Sequence, residues 1–356
     1  MTCIGIIIEN VNQKAGIERA ATNLANMLSD TYSISIISLY SRPDLPTGFQ
    51  LNPEVSVIHM GYRLKKSQGS AKRFWYYARF KNQIRKVVRD NHFEVLISTT
   101  HALNCLLAIV NIAGVRKIGC EHFNYEMCPS LWRRIRKACY PKLDDVVLLT
   151  EHDARKYTFL NNKCVIPNSL PFNSDQVSDC KNKRIIAVGR LVAQKGFDLL
   201  LKTISNIKEQ MDGWSVDIFG EGADQDQLLR MSCDLGAQDI VHFRGYSSDV
   251  RKEMLCSSIY LLTSRFEGFG LVLIEAQVCG LPIVAFDCTE GPSEIVEDGK
   301  NGYLIPTFDT DMMGQKLLSL MQNEEKRIEF GKNAKQHSNL YTTEAIKKKW
   351  LELLKK

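Results

Sequence analysis

The chain alternates short apolar runs with amphipathic segments along nearly all of its 356 residues. The apolar runs are four to six residues long and rich in Ile and Val, as strands buried on both faces of a sheet are. The segments between them repeat apolar residues at helical spacing. Strands that alternate with helices predict parallel sheets covered by helices on both faces, and therefore an α/β fold.

Both halves of the chain show this alternation. In the first half, the predicted strands are Ile4–Ile8, Ile34–Leu39, Val55–His59, Val95–Ser98, Lys117–Cys120 and Val146–Thr150, and the predicted helices are Ile17–Leu28, Arg73–Asn91 and Leu103–Ile112. In the second half, the predicted strands are Ile185–Val188, Ser215–Phe219, Ile240–Phe243, Ile259–Thr263 and Pro282–Phe286, and the predicted helices are Asp198–Gln210, Asp224–Leu235, Ser248–Cys256, Leu271–Cys279 and Asp311–Asn323.

The division into domains follows from length and from one polar segment. A chain of this length suggests two domains, and residues 167–183 are polar, carry two prolines and lack periodicity, as linkers do. We therefore predict an N-terminal domain over residues 1–168 and a C-terminal domain over residues 169–341, both doubly wound. An amphipathic, lysine-rich terminal helix over 342–356 is expected to pack back on the first domain.

The cysteines argue for a reducing compartment. The 11 cysteines are scattered without a CxxC pair, so neither a disulfide framework nor a paired-ligand zinc site is indicated. Cys3, Cys105, Cys120 and Cys256 lie in apolar runs and are predicted to be buried thiols.

No sequence feature indicates secretion or a membrane span. The N-terminal run Met1–Ile8 has no basic segment before it and is typical of a strand rather than a signal peptide. The longest apolar stretch, around Cys105–Ala113, is far shorter than the roughly 20 residues that span a bilayer. We therefore expect a cytoplasmic protein.

Charge is distributed unevenly. The net charge is +6, but residues 1–168 hold 23 Lys and Arg against 13 Asp and Glu, whereas residues 169–356 hold 23 against 27. The basic residues of the first half fall in two clusters with interleaved aromatic residues: Arg63, Lys65, Lys66, Lys72, Arg73, Trp75, Tyr76, Tyr77, Arg79, Phe80, Lys81, Arg85, Lys86 and Arg89, and then Trp132, Arg133, Arg134, Arg136 and Lys137. These clusters fit either a solvated helix face or a surface that rests on anionic lipid headgroups. No nucleic-acid-binding module is visible.

The segment 264–287 carries the most specific chemistry. A predicted strand ends at Ser264, a loop with two glycines follows, and an apolar helix then runs to Gly280. Glu267 lies on the loop and Glu275 lies eight positions later within the helix. Glycines beside a helix N-terminus let backbone amides approach a ligand oxygen. Glu275 is a charged residue within an otherwise apolar helix, and such a residue needs a partner.

This segment resembles the E-x7-E motif of the family 4 glycosyltransferases. The resemblance implies the GT-B fold, with two Rossmann-like domains that face a central cleft, and sugar transfer with retention of anomeric configuration. In that family the first Glu contacts hydroxyls of the donor sugar and the second binds the ribose, which implies these roles for Glu267 and Glu275.

Two cations form a second element. Arg190 follows a predicted strand after Gly189, and Lys195 precedes the next predicted helix. An Arg fork and a Lys point charge suit a diphosphate, although an isolated pair could equally be an ordinary basic loop. The resemblance implies that both cations hold the donor diphosphate and stabilise the leaving group.

Weaker elements complete the resemblance. Gly16 matches a glycine loop of the family, in which Ala15 replaces a second glycine. His122, after a predicted strand, matches a His that contacts the donor sugar; His101 is a weaker rival, and Glu121 and Asn124 are assigned to the acceptor side. Gly220 and Tyr246 match loops beside the nucleotide, and residues 165–168 match a hinge element.

The predicted site combines these elements. The catalytic candidates are Glu267, His122, Arg190 and Lys195. The donor-binding candidates are Gly16, Gly189, Arg190, Lys195, Gly220, Tyr246, Glu267, Gly268, Phe269, Gly270, Leu271 and Glu275. The pairs Asp224–Asp226 and Asp309–Asp311 precede helices and are interpreted as helix caps, so we expect neither a metal nor another cofactor.

The expected function is retaining transfer of a hexose or N-acetylhexosamine from a UDP-sugar or similar donor. The acceptor is expected to be a lipid-linked glycan in bacterial surface polysaccharide, lipopolysaccharide or O-antigen assembly, at the inner face of the plasma membrane. A nucleotide-sugar 2-epimerase and a non-catalytic nucleotide-sugar or lipid-binding protein remain alternatives.

Overall fold

The computed structural model describes residues 1–62, 70–126, 128–288 and 291–355, without the side chains of 70–78. These residues form two compact units. One comprises Met1–Pro171 together with Ile346–Lys356, and the other comprises Phe172–Ala345.

The first unit is built on a seven-stranded parallel sheet of order β3-β2-β1-β4-β5-β6-β7. Its strands are β1 (Cys3–Ile8), β2 (Ser33–Ser38), β3 (Ser56–His59), β4 (Val95–Ser98), β5 (Arg116–Cys120), β6 (Asp145–Leu148) and β7 (Lys163–Val165). Its helices are α1 (Gly16–Leu28), α2 (Ser70–Asn91), α3 (His101–Ile109), α4 (Ser130–Cys139) and α5 (Glu151–Lys156), with a short 3₁₀ turn at Tyr140–Lys142.

The second unit is built on a six-stranded parallel sheet of order β10-β9-β8-β11-β12-β13. Its strands are β8 (Arg184–Val188), β9 (Ser215–Phe219), β10 (Val241–Gly245), β11 (Ile259–Leu262), β12 (Ile283–Asp287) and β13 (Gly302–Pro306). Its helices are α6 (Phe197–Ile207), α7 (Gln225–Asp234), α8 (Val250–Leu255), α9 (Leu271–Val278), α10 (Gly291–Ile295), α11 (Thr310–Met321) and α12 (Glu324–His337).

The apolar strand runs are explained by burial from both sides. Ile4, Ile6, Ile7 and Ile8 of β1 are all fully buried, because successive side chains point into different cores. Ile6 belongs to the core under α1, and Ile7 to the core under α2, α3 and α4. The predicted α/β class, with doubly wound parallel sheets, is confirmed.

The last helix, α13 (Thr343–Leu354), supplies Ile346, Trp350 and Leu353 to the same core as α1. Arg116 of β5 donates from Nη1 to the carbonyl of Leu353 at 2.9 Å. Lys347 forms an ion pair with Asp30 just after α1. The C-terminal helix is therefore part of the first unit, although nearly the whole second unit separates it from that unit in sequence.

Several elements escaped the sequence prediction because their patterns are short or polar. The strands β7 and β13 and the helices α4, α5, α10 and α12 were not predicted. The helix α12 is strongly charged and lacks a wide apolar stripe. The helix α4 packs Trp132, Ile135 and Cys139 against the core, but four Lys and Arg residues in its ten positions make the segment resemble a basic surface cluster.

The cysteine prediction is partly wrong. Cys105 and Cys120 are buried, but Cys3 is only partly buried and Cys256 is exposed. Cys256 is the C-cap residue of α8, where the chain leaves the helix at the surface. None of the helices in the described part of the chain is long and apolar enough to cross a membrane.

Candidate functional site

The candidate site of the second unit lies where strand order reverses. In this sheet β8 is flanked by β9 on one side and β11 on the other, so the loops after β8 and β11 diverge at their carboxyl ends. Ligands of open α/β sheets bind at such a switch point. Gly189 and Arg190 follow β8, and Ser264 and Glu267 follow β11.

Lys195 and Glu267 meet at this point. The Lys195 Nζ atom lies 2.7 Å from Glu267 Oε1, and the two side chains are only 16% and 7% exposed. The hydroxyl of Ser264 donates to the same Oε1 at 2.6 Å. A cation and a carboxylate from two different loops, 72 residues apart in sequence, are thus held together.

Two residues to which the sequence analysis assigned no role hold the Lys195 and Glu267 loops together. Arg265 forms a two-pronged ion pair with Asp198, with Nη1–Oδ1 and Nη2–Oδ2 distances of 2.7 Å. The Arg265 backbone amide also donates to the carbonyl of Gln194 at 2.8 Å. The hydrogen bonds from Arg265 lower the pKa of Asp198. We call Arg265 and Asp198 the loop clamp, because they tie the Lys195 loop to the Glu267 loop.

Glycines allow the same loops to approach backbone to backbone. Gly196 has φ +64°, and a Cβ there would lie 2.0 Å from the Thr263 carbonyl oxygen. Gly220 has φ +140°, and a Cβ there would lie 1.9 Å from the Gly189 carbonyl oxygen. Any side chain at either position would force the strand-end loops apart.

Arg190 extends from this group of loops. Its side chain is exposed, whereas Lys195 lies against Gly189, where a Cβ would contact the lysine methylenes at 3.3 Å. The two predicted diphosphate-binding cations therefore both lie in the loop that follows β8. Arg190 is exposed, whereas Lys195 is already bound to a carboxylate.

The second glutamate is deep in the helix that follows. Glu275 of α9 is 1% exposed, and both Glu275 and Glu267 lie near the buried Tyr260. Burial first, then the charges of these two carboxylates, raises the pKa of the Tyr260 phenol well above its ordinary value. The two glutamates of the motif thus share one neighbourhood, on the loop and helix that follow β11.

Neighbouring positions in the motif differ in accessibility. Phe269 is 3% exposed and packs edge-on against Tyr341 at 5.7 Å. Its side chain is therefore part of the core, and only its backbone can meet a ligand. Gly268 and Leu271 are partly exposed, while Gly270 adopts φ +85° at the start of α9.

Tyr246 lies at the neighbouring strand end. Its side chain is 60% exposed, and its loop is joined to the next one by a 2.8 Å bond from the Gly220 amide to the Gly245 carbonyl. The buried Asp217 holds Arg244 at 2.9 Å and Arg184 at 2.6 Å. Asp217 therefore anchors the strand that leads to Tyr246, a role that the sequence did not reveal.

Gly16 and His122 belong to the first unit. Gly16 opens α1, and a side chain there would meet nothing within 4 Å. His122 follows β5 and is partly exposed. Although the residue is not fully buried, the protein groups around its imidazole exclude water, and this desolvation lowers the pKa to about 4. His122 is therefore neutral at physiological pH. Burial and the charge of Arg136 likewise lower the pKa of His101 to about 4.

The structure changes the interpretation of three neighbours. Glu121 and Asn124, assigned to the acceptor side, are only 2% and 5% exposed. Arg136, assigned to the exposed basic cluster, is fully buried. The exposed assignment of Arg136 was wrong, because this residue lies on the inner face of α4 and pairs with Glu121 at 3.4 Å. The acceptor-side roles of Glu121 and Asn124 stay predictions.

The remaining basic cluster is partly visible. Arg79, Arg85, Lys86 and Arg89 are exposed on α2, Lys81 is partly exposed, and Phe80 is buried in the core. Arg134 and Lys137 are exposed on α4, while Trp132 and Arg133 are partly exposed. The residues Arg63, Lys65 and Lys66 and the side chains of Lys72, Arg73, Trp75, Tyr76 and Tyr77 lie outside the described residues.

The aspartate pairs behave as helix starts. Asp309 accepts the Met312 amide at 2.9 Å and caps α11, while Asp311 accepts from Asn206 at 2.7 Å. Asp224 stands at the start of α7 but makes no side-chain cap. Within the described residues, no three His, Cys, Asp or Glu side chains are grouped to hold a metal ion. Metal-free donor binding stays a prediction.

The sequence has similar counterparts among known proteins. A family profile described as glycosyl transferases group 1 matches residues 172–337. An uncharacterized glycosyltransferase of Haemophilus influenzae is 30% identical over 99% of this chain and 100% of its own. The amylovoran biosynthesis glycosyltransferase AmsD of Erwinia amylovora is 30% identical, with 98% of each chain covered.

A Campylobacter jejuni relative is 26% identical over 99% of this chain and 98% of its own. Its name describes an N-acetyl-D-galactosaminyltransferase that acts on a glycan linked to undecaprenol through a diphosphate.

Solved structures agree in fold. TarM of Staphylococcus aureus, in complex with UDP, superposes with a TM-score of 0.80 at 18% identity over 99% of both chains. HepE of Anabaena, in complex with UDP-glucose, superposes with a TM-score of 0.78 at 18% identity over the whole of both chains. At these identities the likeness shows a shared fold.

Proposed function

This chain belongs to the group 1 glycosyl transferases, and we propose that it transfers a hexose or N-acetylhexosamine from a UDP-sugar to a hydroxyl of a lipid-linked glycan, with retention of configuration. The protein is a glycosyltransferase of the GT-B fold. The donor, the acceptor and the stereochemical course of the reaction are proposals.

The observation that carries the proposal is the contact between Lys195 and Glu267. Their 2.7 Å ion pair joins, at the sheet's switch point, a cation to which we assign phosphate and a carboxylate to which we assign sugar hydroxyls. A nucleotide sugar presents these two chemistries next to each other, since its diphosphate is bonded directly to the anomeric carbon. Arg190, exposed at the same strand end, supplies a second cation.

The lysine can serve donor and carboxylate together. An ammonium group has three N–H donors, so Lys195 can keep one hydrogen bond to Glu267 and direct the others to phosphate oxygens. Lys195 and Arg190 would then stabilise the negative charge that develops on the departing UDP, and stabilisation of developing charge accounts for much of the rate enhancement in many enzymes. Glu267 would orient the sugar through its hydroxyls, and Glu275 would bind the ribose.

The proposed reaction is a front-face displacement. The acceptor hydroxyl oxygen bonds to the anomeric carbon on the face from which the diphosphate leaves, as the bond from that carbon to the β-phosphate oxygen breaks. The hydroxyl proton passes to the departing phosphate. No protein carboxylate needs to act as a nucleophile, and we propose that no metal or other cofactor takes part.

His122 would contact the donor sugar. Burial keeps its pKa at about 4, so at neutral pH the imidazole carries no charge. It can therefore offer one donor and one acceptor nitrogen to sugar hydroxyls, without a positive charge close to the cationic transition state.

A lipid-linked acceptor is supported by the relatives and by charge. The Campylobacter jejuni relative is named for an undecaprenol-linked glycan and the Erwinia amylovora relative for amylovoran biosynthesis. We propose that the exposed cations of α2 and α4 rest on anionic lipid headgroups at the cytoplasmic face of the membrane. Surface polysaccharide assembly is the corresponding biological setting.

A donor panel tests the function. The purified protein is incubated with UDP-glucose, UDP-galactose and their N-acetyl forms, each with and without a polyprenyl-diphosphate-linked glycan. We expect UDP release and a glycosylated lipid with one donor, only when the acceptor is present. Acceptor-independent release of an altered nucleotide sugar would indicate an epimerase, and binding of a nucleotide sugar without any turnover would indicate a non-catalytic protein.

A further inference from the structure

A fully buried ion pair lies next to His122 in the sequence and takes no part in the mechanism above. Glu121 and Arg136 have side chains that are both 0% exposed, and Arg136 Nη2 lies 3.4 Å from Glu121 Oε2. Burying two charges costs more free energy than their attraction usually returns. A pair of this kind is therefore weak evidence for stability, and its geometry indicates another role.

Both oxygens of Glu121 are engaged. Oε1 accepts the backbone amide of Phe123, the residue after His122, at 2.9 Å. Burial has the larger effect on the pKa of this carboxyl and raises it, whereas the amides of Phe123 and His122 both act to lower it. Oε2 accepts the phenol hydroxyl of Tyr140 and faces Arg136. Oε1 of Glu121 therefore binds the backbone next to His122, while Oε2 contacts the side chains of Tyr140 and Arg136.

The groups behind Glu121 come from separate elements. Arg136 of α4 also donates from Nη1 to the hydroxyl of Tyr157 at 2.9 Å. The rings of Tyr157 and Tyr140 are stacked, with centroids 6.2 Å apart. Asn104 of α3 donates to the Tyr140 hydroxyl at 3.2 Å and to the carbonyl of Cys120 at 2.9 Å. The His122 loop is thus connected to α3, α4 and the chain after α5.

We propose that Glu121 and Arg136 are positioning residues that hold the backbone of His122 in the geometry needed for sugar transfer. The inference rests on the proposed function of His122. Neither residue touches the substrate in this account. Arg136 fixes the Glu121 carboxylate, and that carboxylate accepts the amide of Phe123, which directly follows His122. Small displacements of a reacting group are costly, since about 1 Å can lower a rate by about a hundredfold.

Two double variants separate positioning from stability. In Glu121→Leu with Arg136→Met, both charges are removed together, so no unpaired charge stays buried and the fold is expected to persist. This variant loses the acceptor for the backbone amides. In Glu121→Gln with Arg136→Met, the amide oxygen can still accept those amides. The single variant Arg136→Met is avoided because it would strand the buried carboxylate.

A matched control lies at the other end of the same strand. Arg116 begins β5 and pairs with Asp145 at 2.6 Å, with side chains 20% and 17% exposed. Arg116→Met with Asp145→Leu removes a comparable ion pair far along β5 from His122. We expect it to leave the transfer rate within about twofold of wild type, because this partly buried pair lies at the opposite end of β5 from His122 and distant sites act independently.

For the apolar double variant, we expect kcat to fall at least about tenfold while the affinity for UDP is unchanged. For the Gln variant, we expect a kcat within about threefold of wild type. UDP affinity is the internal control because the proposed diphosphate-binding residues lie in the second unit. A wild-type kcat in the folded apolar variant, or no recovery in the Gln variant, would overturn the proposal.

A second readout does not depend on activity. The imidazole of His122, labelled with ¹³C and assigned by His122→Gln, is titrated by NMR. In wild type its pKa is held at about 4 by burial; in the apolar variant it should move toward the ordinary value of about 6.5. An unchanged titration would contradict positioning. Failure of wild type to transfer any sugar would instead contradict the proposed function and leave this readout standing.

Discussion

At the scale of single residues, the separation between Lys195 and Glu267 is set by side chains that lie outside the motif glutamates and cations. The loop clamp of Arg265 and Asp198 joins the two loops by a two-pronged ion pair. Planar guanidinium–carboxylate pairs of this form fix geometry as well as energy. The clamp therefore sets the relative position of the two loops, on which the proposed donor site depends.

Breaking the clamp should weaken donor binding more than it weakens folding. Its two side chains are about a third exposed, so little stability depends on them. For Arg265→Met and for Asp198→Asn, we expect the donor KM to rise about tenfold with a smaller change in kcat. Steady-state kinetics with the accepted UDP-sugar measures this.

The matched control for the clamp is Arg42→Met, which removes a similar surface pair with Asp44 in the first unit. Its donor KM should equal that of wild type. An unchanged KM in the clamp variants, or an equal rise in the control, would show that the clamp does not set the loop geometry.

At the scale of elements, the helix α2 shows how charge and burial are separated. At about 100° per residue, Phe80, Ile84 and Val88 fall on one face and are buried. The exposed cations Arg79, Arg85, Lys86 and Arg89 fall on the opposite face. Arg79, Arg85, Lys86 and Arg89 are therefore available to an anionic surface without any change in the fold.

Charge reversal on this face tests the proposed membrane contact. Arg79→Glu, Arg85→Glu and Arg89→Glu together should reduce binding to vesicles that contain phosphatidylglycerol, because each basic residue near the surface contributes about 1 kcal/mol. Vesicle co-sedimentation at two salt concentrations measures the loss. Binding equal to wild type would argue against the contact.

The control carries the same charge change elsewhere. Lys202, Lys252 and Lys332 are exposed in the second unit, and their combined change to Glu should leave vesicle binding near the wild-type level. Loss of binding in this control as well would point to net charge rather than to the α2 face.

The elements also show what sequence patterns can and cannot predict. Strands such as β1, β8 and β11 were predicted because burial on both faces leaves only apolar residues. The helix α4 was not, because its inner face contains Arg136, whose burial depends on Glu121 and Tyr140 from other elements. A charge that is paired across elements looks identical in sequence to one that is solvated.

At the scale of the whole molecule, the chain returns to its first unit at the end. The helix α13 places Ile346 and Trp350 in the core beneath α1, so the second unit is an insertion between parts of the first. The motif residues Glu267, Glu275, Arg190 and Lys195 were predicted from spacing and resemblance, and the structure brings Lys195 and Glu267 into contact. The loop clamp and Asp217 were not predictable, because their partners are distant in sequence.

We propose that Lys195 and the two motif glutamates hold a nucleotide sugar for transfer. Steady-state sugar transfer is measured for wild type, Lys195→Ala, Glu275→Ala and the exposed-lysine control Lys202→Ala. We expect kcat/KM to fall at least about a hundredfold in Lys195→Ala, the usual cost of removing a group that stabilises developing charge, and to fall clearly in Glu275→Ala, with the control near wild type. Wild-type kcat/KM in both Lys195→Ala and Glu275→Ala would contradict the claim.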